Sequence, residues 1–224
     1  MRLLTDIRLS RAPIAAFIGV GVFWVSFAAM LPDLKARLAV SDATLGLILL
    51  GSAAGALLAM WLSPRLDAAL PRRGLTLSGL ALGAVVLPLG LAETLLPFVI
   101  GMIAIGMSTG MYDILGNASI SRLEARHRVS LMNLNHAIYS FAYAGASTAT
   151  GLAREAGLAP GLWFAVVGAV ILLASLLTLV QPDAASSRDE TPQKSRGRIT
   201  PFVWCAGLVC LIGFFAENAT EGWS

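Results

Sequence analysis

Long apolar blocks separate the charged residues of this chain. No Asp, Glu, Lys or Arg occurs in residues 12–32, 43–64, 74–92, 94–112, 129–153, 156–182 or 199–216. A helix crossing a hydrocarbon layer takes about 20 residues, so each block suits a membrane span. Seven such blocks in 224 residues leave no room for a soluble domain. The pattern predicts helices over about 12–31, 43–63, 75–92, 95–121, 130–152 and 159–181, with a seventh starting near Pro201. Ser41 and Asp42 are N-cap candidates for the second. The basic start MRLLTDIRLSR could introduce a signal peptide, but the run behind it is too long and leads into another span. It reads as a retained helix.

The stretch PDAASSRDETPQKSRGRITP (182–201) is polar, charged and rich in Ser and Pro. Such a segment reads as a linker. The expected organisation is therefore a six-helix bundle over 1–181, a cytoplasmic linker over 182–200, and a seventh helix over 201–224 that begins a second bundle. The chain stops inside that helix, so the expectation is a fragment, or a protein whose second half is missing.

Composition agrees: 57% of residues are hydrophobic and only 13% charged, against roughly 25% charged in an ordinary soluble domain. The net charge of +3 would suggest a nucleic-acid partner if it were clustered on one face. It is instead distributed by segment. The N-terminus, the second and fourth loops and the linker hold 13 Lys and Arg, and the intervening loops hold 3. The positive-inside rule then places the N-terminus in the cytoplasm. No nucleic-acid partner is expected; the partner of these surfaces is the lipid bilayer.

No enzyme signature occurs: there is no HExxH, no GxSxG and no phosphate loop. Cys205 and Cys210 do not share a helix face and have no companion ligands, so no metal and no cofactor are expected.

The chemistry lies in polar residues inside the blocks. In GMYDILGNAS (110–119), at 100° per residue, Asn117 lies about +40° from Asp113, Gly110 about +60° and Gly106 about +20°. The polar pair thus shares a face with small residues of the kind that let membrane helices approach closely. Asp113 is nine residues, roughly 13 Å, from Arg122 at the helix end, near the middle of a ~30 Å core. In SLMNLNHAIYSFAYAGAS (130–147), Asn133, His136, Ser140, Tyr143 and Ser147 fall within a sector of about 80°. His136 is eight residues from Arg128, which matches the depth of Asp113. A carboxylate at the centre of a span costs about 2.5–3.5 kcal/mol on insertion scales. It therefore marks a solute, proton or gating role, or else a hydrogen bond between helices. Glu217 and Trp24 complete the candidates, Trp24 as either a packing or a solute-stacking ring.

These stretches resemble the N-terminal half of a major facilitator superfamily transporter, in its bacterial sugar- and fucose-permease-like branch. LPDLKARLAVSDATLGLILLGSAAGALL (31–58) is similar to the passage between the first two helices, and GMYDILGNAS to a G-x-x-D-x-x-x-N pattern in the fourth. SLMNLNHAIYSFAYAGAS is similar to the fifth helix, and AENATEGWS (216–224) to the start of the second bundle. The loop SPRLDAALPRRG (63–74) departs from the family's gating pattern. Asp67 and the pair Arg72, Arg73 are present but one residue too far apart, with Pro71 in place of a glycine. That argues against Asp67 latching onto a neighbouring helix end.

The resemblance implies two bundles rocking about a central site, in a bacterial inner membrane. It implies transport of a small polar solute, with proton coupling left open, and Asp113 and His136 as its principal groups. It also implies a partner: the missing second bundle, or another copy of the chain. The rival reading is a truncated membrane module that packs against a partner and transports nothing.

Overall fold

The structure is a computed structural model that describes residues 2–71, 73–179 and 200–223; the side chains of Arg2, Cys210, Phe214, Phe215 and residues 217–223 also lie outside the description. Its described residues form helices without strands: α1 (Arg2–Leu9), α2 (Arg11–Leu38), α3 (Asp42–Ala69), α4 (Gly74–Gly90), α5 (Leu95–His127), α6 (Met132–Glu155), α7 (Pro160–Leu177) and α8 (Pro201–Trp223). The six expected spans are α2 to α7, and α8 begins at the expected Pro201. The chain divides into two compact units, Met1–Ala185 and Ser186–Ser224. Arg72 and nearly all of the expected linker, 182–199, lie outside the described residues.

By length and composition α2, α3, α5 and α7 suffice to cross a membrane, while α4 and the apolar part of α8 (Pro201–Gly213) are shorter. α6 is long enough at 24 residues, but its Asn, His, Ser and Thr side chains dilute its apolar character. Four helices, α2, α3, α5 and α6, run past their expected ends, two of them through a proline. α2 continues through Pro32 and α3 through Pro64. A proline inside a helix removes one hydrogen bond, and here the turns beyond it make other contacts. Past Pro32, Asp33 accepts from Arg154 Nε at 2.7 Å, and Arg37 Nη1 donates to the Gly90 carbonyl at 2.7 Å. Lys35 pairs with Asp42. Ser41 caps α3 as expected, accepting from the Thr44 amide at 3.2 Å. α1 was not expected at all.

Within the first unit α3 packs on α5, α4 on α7 and α5, and α2 on α6, α7 and α5. The core lies among α2, α4, α5 and α7, where Phe23, Leu82, Phe98, Tyr112 and Phe164 are fully buried. Small residues set the crossings. A Cβ on Gly106 would overlap the Ser52 carbonyl, and one on Gly55 the Ile103 carbonyl. Gly83 and Gly168 bring α4 and α7 together, a Cβ on either lying 3.2 Å from the other's carbonyl oxygen. Backbones this close allow dispersion contacts that lipid cannot match.

Gly106→Ala is therefore expected to destabilise the bundle by ~1–3 kcal/mol, the range for forced overpacking. Gly145→Ala meets nothing within 4 Å and is expected to leave stability unchanged or slightly raised, as alanine is the better helix former. Thermal unfolding of both variants in detergent compares them directly.

Candidate functional site

α5 places its polar pair by helix geometry. Residues four apart lie on one face, and Asn117 Nδ2 donates to Asp113 Oδ1 at 3.2 Å and to the Asp113 carbonyl at 3.0 Å. Both residues are half-buried. Around α5, Gly106 and Gly110 lie against Ser52, Ala56 and Ala59 of α3, while Gly116 lies against Ala16 and Phe17 of α2. Asp113 falls between those two stripes. Its neighbour Tyr112 turns the other way, into the core, where its hydroxyl is 3.4 Å from Ser175 Oγ on α7.

His136 of α6 lies within electrostatic reach of Asp113. Phe17 of α2 links the two helices: its ring meets the His136 imidazole edge-on at 4.9 Å and approaches Tyr139 at 6.3 Å. Tyr139 in turn rests where a Cβ on Gly21 would stand, 2.9 Å away. The arrangement brings together an acid, an amide and an imidazole beside aromatic rings. Such a set can bind a polar solute by hydrogen bonds, or hold and pass a proton between carboxylate and imidazole.

The other predicted residues fall outside this group. Asn133, Ser140 and Ser147 are exposed, so this part of the polar face of α6 is open rather than turned onto the described helices of the unit. Ser140 Oγ donates back to the His136 carbonyl at 3.0 Å. Tyr143 lies 5.9 Å from Tyr139, ring to ring. Trp24 is half-buried and packs edge-on against Phe23 and Phe27. The side chain of Glu217 lies outside the described residues.

At the end of the bundle that holds the basic loops, the expectation for Asp67 needs correction. Arg122 Nη1 donates to Asp67 Oδ2 at 2.8 Å, with Nη2 to Oδ1 at 3.4 Å. Asp67 thus ties α3 to the end of α5 despite the altered loop. Asp67 lies inside α3, before the altered part of the loop, so the shift does not move it. Arg73 is exposed at the start of α4, and Arg72 lies outside the description.

Several polar contacts escaped the sequence reading. Glu124 Oε1 accepts from the Leu131 and Met132 amides at 2.5 and 2.8 Å, capping α6 from α5. Thr150 Oγ1 accepts from Trp163 Nε1 at 3.1 Å and lies 3.1 Å from Ser26 Oγ, joining α2, α6 and α7. Asn135, not Asn133, is the fully buried asparagine of α6. Their signal was available: hydroxyls and amides inside apolar blocks nearly always find a partner.

The family model described as Major Facilitator Superfamily matches residues 13–224. This chain belongs to the major facilitator superfamily. An uncharacterised MFS-type transporter of Yersinia pestis is 27% identical over 218 residues, covering 93% of this chain and 54% of the relative. The chain thus spans about half the length of the curated relative it matches. No solved structure matches it. Family membership makes this a multi-pass membrane protein of a transporter family rather than an enzyme.

The two ties near the basic loops differ in worth. Asp67→Asn breaks an exposed ion pair and is expected to cost ~0–1 kcal/mol of stability. Glu124→Ala removes the carboxylate that accepts from two amides at the start of α6 and is expected to cost more, roughly 0.5–2 kcal/mol, as for lost helix caps. Chemical denaturation in micelles ranks the two.

Proposed function

We propose that the chain is a secondary transporter, or the N-terminal half of one, that moves a small polar solute by alternating access. In this reading residues 1–181 form one six-helix bundle, 182–200 the linker, and 201–224 the start of a second bundle. Solute sites in such folds lie near the bilayer midplane between repeats. Asp113 is the proton-linked group and His136 its partner; Asn117 on α5, and Asn133 and Ser140 on the open face of α6, offer hydrogen bonds to the solute. Trp24, Tyr143 and Glu217 belong to the same pathway. Asp67, with Arg72 and Arg73, belongs to a cytoplasmic gate. The membrane is a bacterial inner membrane with the N-terminus inside, supported by 13 basic residues against 3 in alternate segments and by the Yersinia relative.

The single observation that supports the reading most is the Asp113 carboxylate, half-buried midway along a membrane helix and bonded to Asn117. Intramembrane acids are costly and line solute or proton paths by default. A thermal-shift screen of sugars, polyols, organic acids and amino acids against the purified protein identifies a solute. Uptake of that solute is then measured in proteoliposomes with an imposed pH gradient. Asp113→Asn is expected to abolish gradient-driven accumulation and to weaken solute binding about tenfold or more, the effect of losing a hydrogen bond to a charged group (~1.5–3 kcal/mol). Uptake with an unchanged rate and pH dependence would remove the proton role.

A further inference from the structure

The transport reading leaves α1 unused. At 100° per residue, Leu3, Leu4 and Ile7 fall within about 100° of one another, and Thr5 lies on the opposite side. Leu3 and Leu4 are 60% and 66% exposed and Ile7 is half-buried, so the bundle leaves most of this face uncovered. Leu9, on another side of the helix, packs against the cluster of Phe17, Ile120, Leu123 and Leu131. That contact holds α1 at the end of the bundle where α5 turns into α6.

The join to α2 is short. Ser10 alone separates the two helices, with φ −98° and ψ 17°. Its amide and its hydroxyl both donate to the Asp6 carbonyl, at 2.9 and 2.8 Å, closing α1, and the Ile14 amide donates to the Ser10 carbonyl at 2.9 Å within α2. Pro13 has no amide to give the Leu9 carbonyl, which allows the chain to turn here. A helix one residue from the start of a membrane span lies at the membrane surface. There its apolar face has a solvent to enter.

Cations outnumber acids on that surface: α1 carries one acid, the half-buried Asp6. Arg8 is exposed on α1, and Arg11 is exposed at the first position of α2. Arg126 and Arg128 belong to the neighbouring α5–α6 connection. An amphipathic helix with leucines on one face and cations beside them partitions into the boundary between headgroups and acyl chains, more strongly over anionic lipid.

We propose that α1 is an in-plane anchor that docks on anionic phospholipid, with Leu3, Leu4 and Ile7 in the acyl boundary and Arg8 and Arg11 against phosphates. The occupant of the exposed face is thus lipid, not protein.

Spin labels test it on the whole chain, with Cys205→Ser and Cys210→Ser removing the native thiols. Leu3→Cys and, separately, Thr5→Cys carry the label in nanodiscs of phosphatidylcholine with or without phosphatidylglycerol. Collision with oxygen reports lipid, and collision with a water-soluble nickel chelate reports water. The expected result is oxygen preference at residue 3 and nickel preference at residue 5. With phosphatidylglycerol present, Arg8→Gln is expected to shift the lipid-to-water ratio at residue 3 toward water by about fivefold, the worth of one arginine near an anionic surface. Nickel preference at residue 3 in both lipids overturns the proposal. So does shielding from both reagents, which would mean that a second copy or another protein segment covers the face. Oxygen preference that ignores both phosphatidylglycerol and Arg8→Gln overturns the anionic part.

Discussion

Helices in hydrocarbon gain little by hiding apolar side chains from one another, because lipid is as apolar as leucine. What remains is close approach, and in this bundle it rests on the crossing of α3 and α5. Gly55 and Gly106 each admit a carbonyl of the facing helix where a Cβ would stand. The rest of the site is measured from that crossing. Two helical turns beyond Gly106, roughly 10 Å along the axis, the same face of α5 carries Asp113. Gly116 then brings α5 against Phe17 of α2, and Phe17 meets His136 of α6. Asp113 and Phe17 thus hang on contacts that small residues of α5 make with α3 and α2.

The helix positions were legible because charge is costly in hydrocarbon, so every gap between charged residues marks a span. The same logic hid α1, whose sequence is as charged as a loop. α2 and α3 run on past Pro32 and Pro64 into charged turns, where Asp33, Arg37 and Asp67 bond to neighbouring helices. The Asp113–Asn117 bond followed from i,i+4 spacing. Angular counting failed on α6 for a physical reason. It gives the spread of residues around a helix but not the rotation of that helix against its neighbours. Asn133 and Ser140 therefore face outward while Asn135 is buried. For Asp67 the loop spacing misled, since Asp67 lies inside α3, before the altered part of the loop.

Where α2 and α6 meet, both ends of the contact are fastened. Glu124 holds the first amides of α6, and Arg154 near its last turn reaches Asp33. Between those ends α6 touches the bundle mainly through rings, Tyr139 against Gly21 and His136 against Phe17. Asn133, Ser140 and Ser147 on its polar side stay exposed.

The hydroxyl contacts between helices also have a direction. A hydroxyl carries one proton, and Thr150 donates its own to the Ala146 carbonyl, Ser175 to Ile171 and Thr178 to Ser175. Each can then only accept from another helix. Ser26 must donate to Thr150, Tyr112 to Ser175 and Thr76 to Thr178. α6 and the end of α7 are therefore the receiving side at all three junctions, while α2, α5 and α4 give. No junction can reverse its polarity unless a turn of helix first releases the proton it holds.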